Sequence, residues 1–291
     1  MEKVLIIINP IAGARSKVRV PDVVRSTLDK KRFVFETVFT EGPQHAQELA
    51  TQAVQRGYKY IGGAGGDGTI NEVASALVGT NCTLLLIPLG SGNGLAYKLK
   101  IPINARKSIN YLNQGNTQLI DVGTVNDRYF FSNCGAGFEA VVVQHFNNIK
   151  RRGFNEYTRV IANQYFSYEV QTYHIELPNQ TITERIFMLN FGNTGQYGYQ
   201  VGLSPNSQLN DGVLEMAIVK QFPRWRASYL IPLMAMGRAQ SSDYVSLHSI
   251  TQAKVLLPPN AYVQIDGDAY KNPTNELHIG IKPSALNVIV P

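Results

Sequence analysis

The sequence predicts an α/β domain followed by an antiparallel β-sandwich. Three observations lead there. Up to Asp121 the chain repeats one unit, an apolar run, a polar or glycine turn and a helix pattern, as a sheet covered by helices requires. After Asp121 strand-like stretches succeed one another with turn signals such as Asn210-Asp211-Gly212. A length of 291 residues with 44% hydrophobic content suits two domains. The boundary falls near residue 125, giving domains 1–125 and 126–291, with the last strand a candidate to return to the first domain.

Val4 to Ile8 is a continuous apolar run, read as a buried first strand. It ends in Asn9-Pro10-Ile11-Ala12-Gly13, at the kind of carboxyl end where open α/β sheets bind ligands. A helix pattern spans Val23 to Leu28, a strand Phe33 to Phe39 ends at Thr40-Glu41-Gly42-Pro43, and His45 to Arg56 reads as a second helix. Tyr58 to Ile61 and Thr83 to Ile87 are further strands, each running into a glycine loop.

The first of those loops organises the domain. In IGGAGGDGTINEVASALV, Ile61 to Val78, five glycines surround Asp67 and an amphipathic helix follows. Thr69 and Glu72 have capping-box spacing, so the helix is expected to start at Thr69. Gly65, Gly66 and Gly68 can aim successive N–H groups into one concavity at a helix N-terminus, which suits an anion. Gly63, Gly65 and Gly68 match G-x-G-x-x-G, but no carboxylate follows about 20 residues on to hold a ribose, and no Gly-Lys-Ser/Thr makes a Walker A loop. A carboxylate inside a phosphate nest needs a bridging cation, so Asp67 points to Mg²⁺ with a nucleoside triphosphate. The plainer reading is a tight turn with Asp67 capping the helix. The second loop, Pro88 to Ala96, lacks the glycine two before Ser91 that a nucleophile elbow needs, and two such loops on neighbouring strands flank one ligand.

In the second half, strands are expected at Val122 to Val125, Tyr129 to Cys134, Arg185 to Phe191, Val213 to Val219, Lys254 to Leu257, Ala261 to Ile265, Leu277 to Ile281 and Leu286 to Val290. Helices are expected at Glu139 to Asn147, Tyr157 to Val170 and Arg224 to Arg238. Asn210-Asp211-Gly212 reads first as a hairpin turn. Ala261, Val263 and Ile265 share the core face, so Asp266, and Asp268 if the strand continues, are expected to point away from it, either as turn residues or as a general base. The Met-rich segment Tyr229 to Met236, behind Arg224, Trp225 and Arg226, could rest on a bilayer, but packing is the favoured reading.

The formal charge of +6 is modest, and no dense basic stripe with interleaved aromatics marks a nucleic-acid binder. No run reaches the roughly 20 apolar residues of a spanning helix. Cys82 and Cys134 lie outside metal-ligand spacing, which fits a reduced cytoplasmic setting.

Taken together, Asn9-Pro10-x-x-Gly13, GGDGT-x-NE at Gly65 to Glu72, PLGSGN at Pro88 to Asn93 and Asp266-Gly267-Asp268 resemble the diacylglycerol kinase catalytic domain family, including bacterial lipid kinases and the related sphingosine and ceramide kinases. The resemblance spans the chain. It implies a Rossmann-like three-layer α/β first domain, a β-sandwich lipid-binding second domain and an active site in the cleft between them. It also implies an ATP- and Mg²⁺-dependent kinase of a diacylglycerol-like or sphingoid hydroxyl in phospholipid metabolism, cytoplasmic and peripheral at the inner membrane surface, with homo-oligomerisation left open. Asn9, Pro10, Ile11, Ala12, Gly13, Thr40, Gly66, Asp67, Gly68, Thr69, Ile70, Asn71, Glu72 and Ser91 would hold ATP. Asp67, supported by Asp121, would organise Mg²⁺, and Asp268 would take the proton from the attacking hydroxyl. Gln208, Asp211 and Val213 would form a structural Mg²⁺ site. Three positions depart from the family pattern: Gly94 stands where aspartate is usual, Asp268 where glutamate is common, and Glu139 where aspartate is more usual. A kinase of a non-lipid alcohol and a nucleotide-binding regulator without turnover are the alternatives.

Overall fold

The computed structural model describes residues 1–12, 20–90, 92–149, 154–194, 207–236 and 238–291. Met1–Val122 with Pro283–Pro291 forms one compact unit and Gly123–Lys282 another.

The first unit alternates strand and helix: β1 Glu2–Ile8, α1 Val20–Thr27, β2 Phe33–Phe39, α2 His45–Gln55, β3 Tyr60–Gly65, α3 Asp67–Leu77, β4 Thr83–Pro88, α4 Gly94–Lys98, α5 Ala105–Gln114 and the start of β5 Thr117–Val125. β2, β1, β3 and β4 lie side by side, all parallel. The end of the chain's last strand joins them, with Asn287 and Val288 opposite Thr83 and Leu84. Val4, Ile6, Tyr60, Leu85 and Ile87 on one face pack with Val20 and Val24 of α1 and Ile109 and Leu112 of α5. α5 is not among the helices expected from sequence pattern. Its N-terminus is set by Asn104, whose side chain accepts from the Lys107 N–H. α3 starts at Asp67 with Gly66 as N-cap, two residues before the expected Thr69, and no side chain caps it.

The second unit contains β6 Arg128–Phe130, β7 Asn133–Gly137, α6 Phe138–Asn147, α7 Phe154–Ser167, β8 Gln171–Leu177, β9 Gln180–Gly192, β10 Leu214–Lys220, α8 Ala227–Ala235, β11 Val245–Ile250, β12 Gln252–Leu256, β13 Tyr262–Ile265, β14 Asp268–Lys271 and β15 Glu276–Ile289. It is an antiparallel β-sandwich. The strands run β14, β13, β7, β9, β8, β12, β15. The long β9 pairs with β8 through its first half, while Met188–Gly192 lies between β7 and β10. Phe130, Tyr173, Leu189, Phe191, Met216, Val255 and Leu277 belong to the main core. α6 and α7 make a second core on Phe187 and Met188, where Phe138 stacks on Phe187 with ring centroids 4.6 Å apart.

Three expectations change here. The strand expected over Tyr129 to Cys134 is broken between Phe130 and Asn133, because the N–H groups of Phe131 and Ser132 donate to the Asp266 carboxylate instead of to a ladder. The two strands expected at the end are one, β15, whose passage from the second unit to the first goes through Pro283 and a Ser284 at φ 48°. The helix expected from Arg224 to Arg238 is a 3₁₀ turn at Arg224–Arg226 followed by α8.

Candidate functional site

The strand order 2-1-3-4 makes the gap between β1 and β3 the point where successive connections diverge, the place where open parallel sheets bind ligands. All four motif-bearing turns of the first unit leave the carboxyl ends of these strands. The ladder continues into them: Thr40 N–H donates to Ile8 O, Asn9 N–H to Ala64 O and Leu89 N–H to Gly65 O, at 2.8–2.9 Å. Across the gap itself, Asn9 Nδ2 donates to Thr69 Oγ1 at 3.0 Å. Thr69 is therefore a brace between β1 and α3 and not the N-cap its spacing suggested.

Asp67 ties the two glycine loops together. Its Oδ2 accepts from the Asn93 N–H at 2.7 Å and its Oδ1 from the Gly94 N–H at 2.9 Å, so it caps α4, the helix of the other loop. The approach depends on bare backbone. A Cβ on Gly92 would overlap Asp67 Oδ2, and one on Gly90 would lie 2.6 Å from the Gly66 Cα. Burial raises the Asp67 pKa, and the N–H groups of Asn93 and Gly94, with its own, work against that rise. The first helical bond of α3 runs from Ile70 N–H to Gly66 O at 3.0 Å, which leaves the N–H groups of Asp67, Gly68 and Thr69 ahead of it without an intrahelical carbonyl. Positive partial charge collects there.

Glu72 does not complete a capping box either. Its two oxygens accept from Gln44 N–H at 2.9 Å and Ala46 N–H at 3.1 Å, capping α2 from the neighbouring helix. Each acidic residue of the glycine motif thus caps a helix other than its own. Ile70 is buried in the core, and Asn71 Oδ1 accepts from Ser75 Oγ at 3.3 Å. Pro10 and Ile11 are exposed, and Ile11 N–H donates to Asn9 Oδ1 at 3.0 Å, closing a turn. Gly13 and Ser91 lie outside the described residues. Asp121 is buried, and its Oδ1 accepts from Ser284 N–H at 2.7 Å, holding the returning β15.

In the second unit, Asp266 and Gly267 are the two central residues of the turn between β13 and β14, at φ 46° and 89°, a type I′ pattern. Asp266 does not point away from the protein. It is buried, and its carboxylate accepts from the N–H groups of Phe131, Ser132 and Asn133 at 2.7–3.0 Å. Asp268, the first residue of β14, is exposed. The turn is held from below: Gly267 N–H donates to Gln264 Oε1 at 3.0 Å, and Gln264 Nε2 donates to Glu139 Oε1 at 3.1 Å.

Glu139 opens α6 and is buried with Asn133, Asn190 and Gln264, a polar cluster that no sequence motif announces. Asn190 Nδ2 reaches both carboxyl oxygens at 3.0 and 3.3 Å. Desolvation dominates and pushes the Glu139 pKa from 4.5 up to about 8, against the pull of Asn190 and Gln264. An unfolded chain releases this proton near 4.5 and the fold keeps it until about 8. The contribution of Glu139 to folding stability should therefore be full below about 4.5, fall as pH rises through that window and level off above it. Glu139→Gln is expected to flatten this part of the pH dependence of chemical denaturation. An unchanged slope would mean that Glu139 ionises in the fold as it does in the unfolded chain.

Asp211 is exposed and accepts from Val213 N–H at 3.2 Å, next to Gly212 at φ 74°. Gln208 is exposed and Val213 half-buried. Among the described residues no cluster of three or more His, Cys, Asp or Glu side chains could hold a metal ion, so neither Asp211 nor Asp67 belongs to a closed carboxylate or imidazole cage there. Asp67 fits the role of organising Mg²⁺ as a carboxylate held in place by backbone N–H groups, with no cationic side chain bonded to it among the described residues. Asp67 and Asp268 belong to different units.

Comparison with known proteins gives a consistent result. Residues 3–125 match the model of the diacylglycerol kinase catalytic domain, and residues 132–290 match the YegS C-terminal NAD kinase beta sandwich-like domain. The chain is 27% identical to a diacylglycerol kinase of Mycobacterium tuberculosis (strain ATCC 25618 / H37Rv), over 99% of this chain and 95% of that one. Its fold superposes on a diacylglycerol kinase from Bacillus anthracis str. Sterne with TM-score 0.74 at 18% identity, covering 100% and 97% of the two chains. An NAD kinase from Archaeoglobus fulgidus, solved in complex with ATP, shares the fold at TM-score 0.53 and 11% identity, over 99% and 93%.

Proposed function

Because this chain belongs to the diacylglycerol kinase catalytic domain family, we propose that it transfers the γ-phosphate of ATP, with Mg²⁺, to a hydroxyl of a diacylglycerol-like or sphingoid lipid at a membrane surface. The observation that carries this reading is the Asp67 carboxylate knitting two glycine loops at the carboxyl ends of adjacent parallel strands. Loops built this way present N–H groups and the α3 N-terminus to a polyphosphate, while Asp67 supplies negative charge for a cation. Mg²⁺ supplies neutralisation of phosphate charge when bound. Catalysis is then positioning and electrostatics, without a covalent enzyme intermediate.

Asn9 and Thr69, bonded to each other, fix the turn after β1 against the first turn of α3. Glu72 fixes the start of α2 against α3, so the loop that begins at Thr40 is anchored at its far end to the glycine motif's helix. Asp121 holds the strand that returns from the second unit. Asp268, on a turn whose shape Asp266 and Gln264 hold, accepts the proton of the attacking hydroxyl. Gln208, Asp211 and Val213 form a structural Mg²⁺ site, and domains 1–125 and 126–291 bind nucleotide and lipid respectively.

The test is transfer of labelled γ-phosphate from ATP to diacylglycerol, monoacylglycerol, sphingosine and ceramide in mixed micelles, with Mg²⁺ and with chelator. Chelator-sensitive labelling of one lipid is the expected result. No labelling of any lipid despite ATP binding would move the reading to a non-lipid alcohol or to a regulator without turnover.

A further inference from the structure

The segment from Trp225 to Met236 is mostly apolar, and its residues differ sharply in exposure. Ala227 and Leu230 are buried, while Trp225 is 70% exposed, Tyr229 53% and Met236 60%. Spacings of four and seven residues put Trp225, Tyr229 and Met236 on one face as the 3₁₀ turn passes into α8. Phe166, 67% exposed, is adjacent: Arg224 Nη2 donates to the Phe166 carbonyl at 3.1 Å, and Tyr165 Oη donates to the Arg224 carbonyl at 3.1 Å. The Arg226 guanidinium lies 4.7 Å from the Trp225 ring centroid. From Gln221 to Ser242 the sequence has three arginines, Arg224, Arg226 and Arg238, and no carboxylate.

We infer that this face of the second unit is a docking surface for an anionic bilayer, with Trp225, Tyr229, Met236 and Phe166 entering the interface and the arginines meeting lipid phosphates. Charge decides the occupant. A two-fold contact between copies would bring the arginines of both chains together with no carboxylate in the segment to pair them. Anionic headgroups supply the missing charge, and indole and phenol rings suit the boundary between apolar and wet layers. Among the described residues no helix is long and apolar enough to cross a membrane, so contact through this face is peripheral. The inference deepens the lipid-kinase reading by naming the surface that meets the substrate's bilayer, but vesicle binding is measured without nucleotide and stands or falls apart from turnover.

The chain has a single tryptophan, so its fluorescence reports on this site alone. The full-length protein is titrated with vesicles of phosphatidylcholine alone, or of phosphatidylcholine with phosphatidylglycerol, with and without brominated acyl chains. The expected result is a blue shift and bromine quenching with the anionic vesicles only, weakened by salt. Arg224→Gln and Arg238→Gln should each weaken binding about fivefold, and Tyr229→Ser with Met236→Ser should abolish the shift. Thermal melts of the variants separate lost binding from lost folding, and the titration of the parent protein needs no variant. No shift with any vesicle, binding with Trp225 emission unchanged, or equal response to neutral vesicles would each overturn the proposal. So would a concentration-dependent shift without vesicles that accompanies a doubling of molar mass, which would assign the face to a second copy.

Discussion

Asp67→Asn is expected to lower turnover by about 10³-fold or more, the scale of removing a charge-organising group from a phosphoryl-transfer site. The structure adds a second consequence. Both carboxylate oxygens accept backbone N–H groups, from Asn93 and Gly94, and an asparagine would turn an NH₂ toward one of them. Thermal stability should fall as well, by about 1–3 kcal/mol for one buried donor left unpaired. Gly92→Ala separates the two effects. Its Cβ would displace the Asp67 carboxylate while keeping the negative charge. If position governs catalysis, this variant loses turnover although the carboxylate is retained. A variant Asp67→Asn that phosphorylates lipid as fast as the parent would remove Asp67 from the reaction.

The aspartates two residues apart in the β13–β14 hairpin should behave in opposite ways. Asp268→Asn is expected to lower the maximal rate by about 10²- to 10⁴-fold with little change in ATP affinity, the signature of a lost general base. Asp266→Ala should instead unfold the protein more easily, by about 3 kcal/mol or more, because three N–H groups, of Phe131, Ser132 and Asn133, lose a charged acceptor. Rate measurements paired with denaturation curves distinguish them. An Asp268→Asn enzyme with an undiminished rate would end the assignment of the base, and an Asp266→Ala protein of normal stability would end that of the brace.

Local pattern reached this far because the relevant signals are local. Continuous apolar runs mark β1 and β4 since both faces of those strands are covered, and glycines follow β3 and β4 because two backbones meet there. Capping failed for the same reason in reverse. Thr69 and Glu72 have capping-box spacing, but their partners Asn9 and Gln44 lie 60 and 28 residues away, and those bonds outcompete the local ones. The cluster of Glu139, Asn133, Asn190 and Gln264 draws on α6, β7, β9 and β13, so no window of sequence contains it.

By itself, then, the sequence determined the first four strands with their glycine turns, the α/β-then-β architecture and the family, all properties of periodicity and of short motifs, while α5, β8, β11 and β14 came only with the structure. Only the tertiary structure decided which aspartate of the hairpin is buried, which helix each acidic residue caps, and that Trp225, Tyr229 and Met236 share an uncovered face. Those are questions of what lies opposite a side chain, and burial and long-range hydrogen bonding, which answer them, exist only once the chain has closed on itself.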